Sequence, residues 1–275
     1  MTRLFPFCTF LLTLLLALTP GPGLWAEPLQ EGLDAFKAGD FATSLKLLQP
    51  LAEQGEPKAQ FAVGLMFMKG HGVTPNVASC AQWFEKAALQ GHTKAQFNLG
   101  VLYDQGVINQ APNASAAHRW YSMAADQDFA DALINLSNLY SAGRGVEKSA
   151  SQAFLLISKA AEAGHPFAQY NLGRMYEIGE GVIADPKAAL TWYQKSAEAS
   201  FALAYVAIGQ LYQNGIGVEK NPATALMWFA VAQDLGLPEG ANLFMKLAAE
   251  TTPEVLQQAA SAAAELRQKR EASPK

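Results

Sequence analysis

Ala168-Gln169-Tyr170-Asn171-Leu172-Gly173-Arg174-Met175-Tyr176, then the turn Gly179-Glu180-Gly181-Val182, then Asp185-Pro186 with Trp192, Tyr193 and Ala197 behind it, is the stretch that decides the fold. In its first run alanine, leucine, methionine and tyrosine share one helical face. The two turn glycines tolerate positive φ, so this helix can end in a left-handed cap and the chain can reverse. Asp185 supplies an N-cap oxygen and Pro186 a φ already set for a first turn, which restarts a helix. Ala168 to Ala197 therefore predicts a helix, a glycine loop and a second helix.

The same landmarks recur on both sides. The alanine opening the first helix is Ala59, Ala95, Ala132, Ala168 and Ala204, at spacings of 36, 37, 36 and 36 residues. Five places later stands Gly64, Gly100, Ser137, Gly173 or Gly209, and eight places later Phe67, Tyr103, Tyr140, Tyr176 or Tyr212. The second helices are stricter. Asn76, Asn113, Ser149, Asp185 and Asn221 all suit an N-cap, and each lies seven residues before Trp83, Trp120, Leu156, Trp192 or Trp228. Such periodicity is the signature of a stack of helix pairs, none of which can bury its apolar face alone.

Glycine inside a helix costs about 1 kcal/mol against alanine, so Gly64, Gly100, Gly173 and Gly209 need an offset. The expectation is close approach of a partner helix backbone, with tryptophan and tyrosine filling the flanking space. The third repeat, with Ser137 and Leu156, is expected to pack more loosely. The fold predicted is an all-α, right-handed superhelical solenoid of about seven antiparallel pairs. A truncated capping pair spans 27–56, where Asp40 keeps the cap register. Five repeats span 57–236, a C-terminal capping pair 237–271, and a frayed tail 272–275. The second repeat's loop, Gly106 to Asn113, is one residue longer than its siblings and replaces the second glycine by Ile108.

The pattern A-x-x-x-L-G-x-x-Y-x-x-G-x-G-V-x-x-(D/N)-x-x-x-A-x-x-W-(F/Y)-x-x-A-A resembles the Sel-one-like repeat, a relative of the tetratricopeptide repeat with a longer interhelical loop. It is clearest in Gln96 to Tyr103 and Gln169 to Tyr176 and covers about 31–236. The resemblance implies a superhelix that binds or scaffolds other proteins, and exported bacterial members share the plan of a signal segment followed by repeats alone.

Residues 1–26 read as that signal segment. Arg3 precedes an uncharged stretch, Leu4 to Trp25, with an apolar centre at Phe10 to Leu18 and the breaker Pro20-Gly21-Pro22-Gly23. Its apolar run is shorter than the about 20 residues a spanning helix needs. Cleavage after Ala26 is expected, an uncleaved anchor being the alternative, and no later stretch is apolar enough to span a membrane. A periplasmic or secreted bacterial protein is thus expected. Losing Arg3 leaves 19 basic against 24 acidic residues, a formal charge of −5, which opposes nucleic acid binding. The basic cluster Arg267, Lys269 and Arg270 reads as a complement to the last helix's dipole. Cys8 leaves with the segment, so Cys80 reads as a buried small apolar residue and no disulfide framework is expected.

The motifs of the common catalytic chemistries are absent. H-E-x-x-H, G-x-S-x-G, G-x-x-x-x-G-K, C-x-x-C and S-x-x-K are missing from the sequence, so no catalytic residue, metal or cofactor is expected. His92 and His165 occupy one turn position before a first helix, and His71 and His118 have no partner at metal spacing. Glu177, Glu180 and Asp185 around one loop read as solvated and not as a weak cation site. Binding is the better expectation. Positions three, six and nine or ten after the opening alanine fall off the packing stripe and stack across repeats. They are Asn98, Asn135 and Asn171; Val101, Asn138, Arg174 and Gln210; Gln105, Glu177 and Gln213. Amides both donate to and accept from a peptide backbone, which predicts a groove for an extended peptide or a partner's edge on the concave face. The competing reading has the asparagines bonding between neighbouring repeats. The function expected is a non-enzymatic scaffold or adaptor. The alternatives are a cell-wall or β-lactam-interacting enzyme and a secreted factor acting on a host or neighbouring cell.

Overall fold

A computed structural model describes residues 26–108 and 110–272; the expected signal segment up to Trp25 and the last three residues of the tail lie outside them. Among the described residues there are fourteen helices and no strand. The N-terminal pair is α1 (Ala26–Ala38) and α2 (Phe41–Glu53). Five pairs follow: α3 (Pro57–Lys69) with α4 (Val77–Leu89), α5 (Thr93–Asp104) with α6 (Ala114–Ala125), α7 (Ala130–Ala142) with α8 (Ala150–Glu162), α9 (Pro166–Ile178) with α10 (Pro186–Glu198), and α11 (Ala202–Asn214) with α12 (Pro222–Asp234). The chain ends in α13 (Pro238–Ala248) and α14 (Pro253–Ala272). Each helix packs chiefly on its neighbours in sequence, the contact pattern of a solenoid.

Local chemistry sets the boundaries. Asn76, Asn113, Asp185 and Asn221 each accept a backbone N–H of the first turn through the side chain, Ser149 does so with its hydroxyl, and Asp40 does the same for α2. First helices end at left-handed glycines such as Gly179, φ 73°. The loop's second glycine has a separate reason. A Cβ on Gly181 would lie 2.1 Å from the Ala150 carbonyl oxygen, at the start of the preceding second helix. In the second repeat Ile108 takes that place and packs against the core around Phe84 and Leu99.

What faces the helix-interior glycines corrects the expectation. The partner is an aromatic ring, not helix backbone, and it belongs to the residue after each tryptophan. A Cβ on Gly64, Gly100, Gly173 or Gly209 would stand 2.4 to 2.7 Å from a ring carbon of Phe84, Tyr121, Tyr193 or Phe229 respectively. Those four rings are the buried ones, while Trp83, Trp192 and Trp228 are half-buried and Trp120 is buried. Lys86 and Lys195 lay their ammonium groups over Trp83 and Trp192, at 4.2 and 4.0 Å. The tryptophans thus roof the core and the following residue fills it. In the third repeat the same two positions are Ser137 and Ile157, both buried; there an aliphatic chain faces a residue that carries a Cβ. Gly32 and Leu48 repeat the contact in the N-terminal pair, with a Cβ distance of 2.6 Å.

At the C-terminal end α13 and α14 pack side by side on α12 and not on each other. Arg267 bonds Asp234 at 2.6 Å, and Arg270 lies over the Tyr205 ring at 5.5 Å; these two residues tie α14 to α12 and α11, while Lys269 and Arg270 stand in its last turn. α14 continues to Ala272.

Candidate interaction face

The open side of each first helix is a stripe one residue before the opening alanine and three, six and ten after it, positions that lie within about 40° of one line at 3.6 residues per turn. In α9 this is Phe167, Asn171, Arg174 and Ile178; in α5, Lys94, Asn98, Val101 and Gln105; in α7, Asp131, Asn135, Asn138 and Ala142. Position nine turns inward, and there the second-helix tyrosines decide its chemistry. Tyr193 donates to Glu177 Oε2 at 2.6 Å. Burial, with Glu177 beside it, pushes the Tyr193 phenol far up, so the proton stays on tyrosine. Asp104, at the same position, is gripped by Arg144 through Nη1 at 2.8 Å and Nη2 at 3.4 Å.

The ten residues proposed from sequence divide by engagement. Asn98 donates back to Lys94 O at 2.7 Å. Asn135 hydrogen-bonds to the Tyr121 hydroxyl across the junction of the second and third repeats; burial raises that phenol to about 12. Val101 packs against the core and Glu177 is held by Tyr193. Gln105, Asn138, Asn171, Arg174, Gln210 and Gln213 make no side-chain hydrogen bond among the described residues. The inter-repeat reading thus holds for Asn135 and not for Asn138 or Asn171.

The amides that do link repeats are glutamines one place after the opening alanine, a row sequence reading passed over. Gln60, Gln96 and Gln169 are buried and donate to Ala52, Ala88 and Ala161 O at 3.1, 3.0 and 3.3 Å. Gln90 donates to Gln60 Oε1 at 2.8 Å, and Gln127 to Gln96 Oε1 at 2.7 Å. The counterpart for Gln169 would come from position 199, which is Ala199, and Gln169 Oε1 is left buried without a partner. Tyr205 replaces the glutamine in the fifth repeat and reaches Ala197 O at 2.7 Å.

The histidines are structural too. His92 and His165 cap α5 and α9 through Nδ1, accepting from Ala95 N at 3.2 Å and Ala168 N at 3.4 Å. His92 stacks on Phe61, His71 on Phe41, and His118 lies 3.2 Å from the Tyr140 hydroxyl. Cys80 is buried, and desolvation pushes its thiol up to about 12, which keeps it unreactive at neutral pH. No cluster of three metal-ligating side chains occurs among the described residues, and no described helix is long and apolar enough to cross a membrane.

Comparison with known proteins agrees with this geometry. The Sel1 repeat profile matches five successive segments, 57–92, 93–129, 130–165, 166–201 and 200–237. A Sel1 repeat protein from Oxalobacter formigenes is 30% identical, with a TM-score of 0.74 over 86% of this chain and 96% of its own. The protective antigen c5321 of uropathogenic Escherichia coli, which displays an SLR fold, is 25% identical, with a TM-score of 0.56; the match covers 91% of this chain and 64% of that one. Among proteins of curated function none matches the sequence. The fold is typical of protein–protein interaction scaffolds that are generally non-enzymatic. With five matched repeats and a solved Sel1 repeat protein 30% identical to it, the chain belongs to the Sel1 repeat family.

Proposed function

We propose that the protein is an exported, non-enzymatic scaffold that holds an extended segment of a partner protein on the concave face formed by its first helices. One observation carries this: Asn138, Asn171, Arg174 and Gln210 stand on successive first helices with no bond to their own chain among the described residues. Amides and a guanidinium so placed complement the N–H and C=O groups of an extended chain. The targeting segment supports export. A photo-crosslinking residue placed in the cell at Asn138 or Arg174 is expected to trap one partner, and the same probe at Lys86, on a second helix, to trap none. Equal adducts from all three sites would overturn the reading. For export, the envelope-fraction protein should begin at Glu27 by N-terminal sequencing.

A further inference from the structure

The open face also carries information about the charge of its occupant, an inference that rests on the reading above. Its cations are unpaired. Lys58 and Lys69 on α3, Lys94 on α5 and Arg174 on α9 are exposed on the stripe and form no ion pair among the described residues. Asp104 and Glu177 turn inward to Arg144 and Tyr193, and Asp131, 3.4 Å from His165 Nε2, is the single carboxylate on the stripe from α3 to α11. A chain of formal charge −4 thus turns free positive charge outward along one face. The far half of that face has another character. Phe167 and Ile178 are exposed on α9, the latter 62%, and Leu203 on α11 is half-buried.

We propose that this face takes an extended peptide segment with carboxylates at one end and a large apolar side chain at the other. The acidic end lies over α3 and α5, where Lys58, Lys69 and Lys94 meet it; the apolar end lies over α9 and α11, beside Phe167 and Ile178. A nucleic acid carries phosphates along its whole length, whereas the stripe holds an aspartate and no cation on α7 and no charged residue on α11, and so the observations favour peptide. Five first helices set no closer than the about 10 Å of packed helices span at least about 40 Å, the length of about twelve extended residues at roughly 3.3 Å each.

The test uses the full chain and fluorescence anisotropy. The probes are three labelled peptides of that length, alike in carrying one terminal phenylalanine and differing in whether four positions at the other end are Glu, Gln or Lys. A thymidine oligonucleotide is the fourth probe. The Glu peptide should bind tightest and weaken with salt, and Lys58→Gln, Lys69→Gln and Lys94→Gln together should weaken it about tenfold while leaving the Gln peptide unchanged. Phe167→Ala should weaken all three peptides. Gln or Lys peptides binding as tightly as Glu would overturn the charge inference and leave the groove standing. Oligonucleotide capture with the same lysine dependence and affinity would overturn the peptide assignment. Failure of every peptide would overturn the groove itself.

Discussion

At the scale of single residues, the pairing of a helix-interior glycine with one following ring explains why both recur. The ring's edge occupies the volume a Cβ would need, and the third repeat shows the compensated alternative in Ser137 and Ile157. Gly209→Ser should therefore destabilise the chain by about 1–3 kcal/mol through overpacking, and Phe229→Ile by about as much through the lost volume. The double variant recreates the third repeat's pair, so its thermal or urea midpoint should lie well above the sum of the two losses; strict additivity would show that the contact is not coupled. The glycine spacing was legible in the sequence, but its partner was not. Tryptophan is the conspicuous letter of each second helix, and size alone draws attention to it, whereas the smaller ring beside it points inward. The histidines carry a second prediction. Burial, with Lys94 and Lys58 beside it, lowers the His92 value, and its cap requires an unprotonated Nδ1. A lowered folded-state value means the contribution is complete above the unfolded value of about 6.5 and is lost as pH falls through the folded one. Melting temperature should fall on going from about pH 7.5 to 5, and His92→Asn, which caps without titrating, should flatten that dependence.

Between elements, stability passes through polar bridges that apolar periodicity does not reveal. Gln90 and Gln127 each close a three-way contact with the buried glutamine and a turn carbonyl of the repeat before, the latter at 3.0 and 3.1 Å. In the fourth repeat the donor is missing, and Gln169 Oε1 remains an unsatisfied buried acceptor. Leaving such a group unpaired costs about 1–3 kcal/mol, so Ala199→Gln should stabilise the junction of α8, α9 and α10 by about 1 kcal/mol. Gln127→Ala should cost at least that much at its own junction. A rise in melting temperature with Ala199→Gln checks the bridge; no change would mean the side chain cannot reach. Helix order, N-caps and glycine loops were readable because each rests on local chemistry within a few residues. The bridges join residues 30 or 31 apart and use glutamine, which sequence reading assigns to a solvated face by default. The binding stripe was half legible for the same reason. Position three could be assigned to the open side, but only the tyrosine hydroxyls reveal that Glu177 and Asn135 are already engaged.

Over the whole molecule, a stack of this kind needs something that ends it, and the last full repeat is written for an end. Three residues after the tryptophan, the second helices carry Lys86, Met123, Lys159 and Lys195, all exposed, where the fifth carries Val231, fully buried. The difference is α14, which lies along α12 and covers the side that is open in every earlier repeat. α12 is consequently apolar nearly all round, as a helix covered on three sides must be. Removing 251–272 should expose Val231 and its neighbours as an apolar patch of the kind that drives self-association. The shortened chain is expected to sediment as oligomers, and Val231→Lys in that chain, which restores the pattern of the open repeats, to return it to monomer. In the intact chain the same substitution buries a charge without a partner and should cost about 3–5 kcal/mol, so one residue change has opposite signs in the two contexts. A shortened chain that stays monomeric with an unchanged melt would show that α14 is an appendage and that the fifth repeat closes the stack without it.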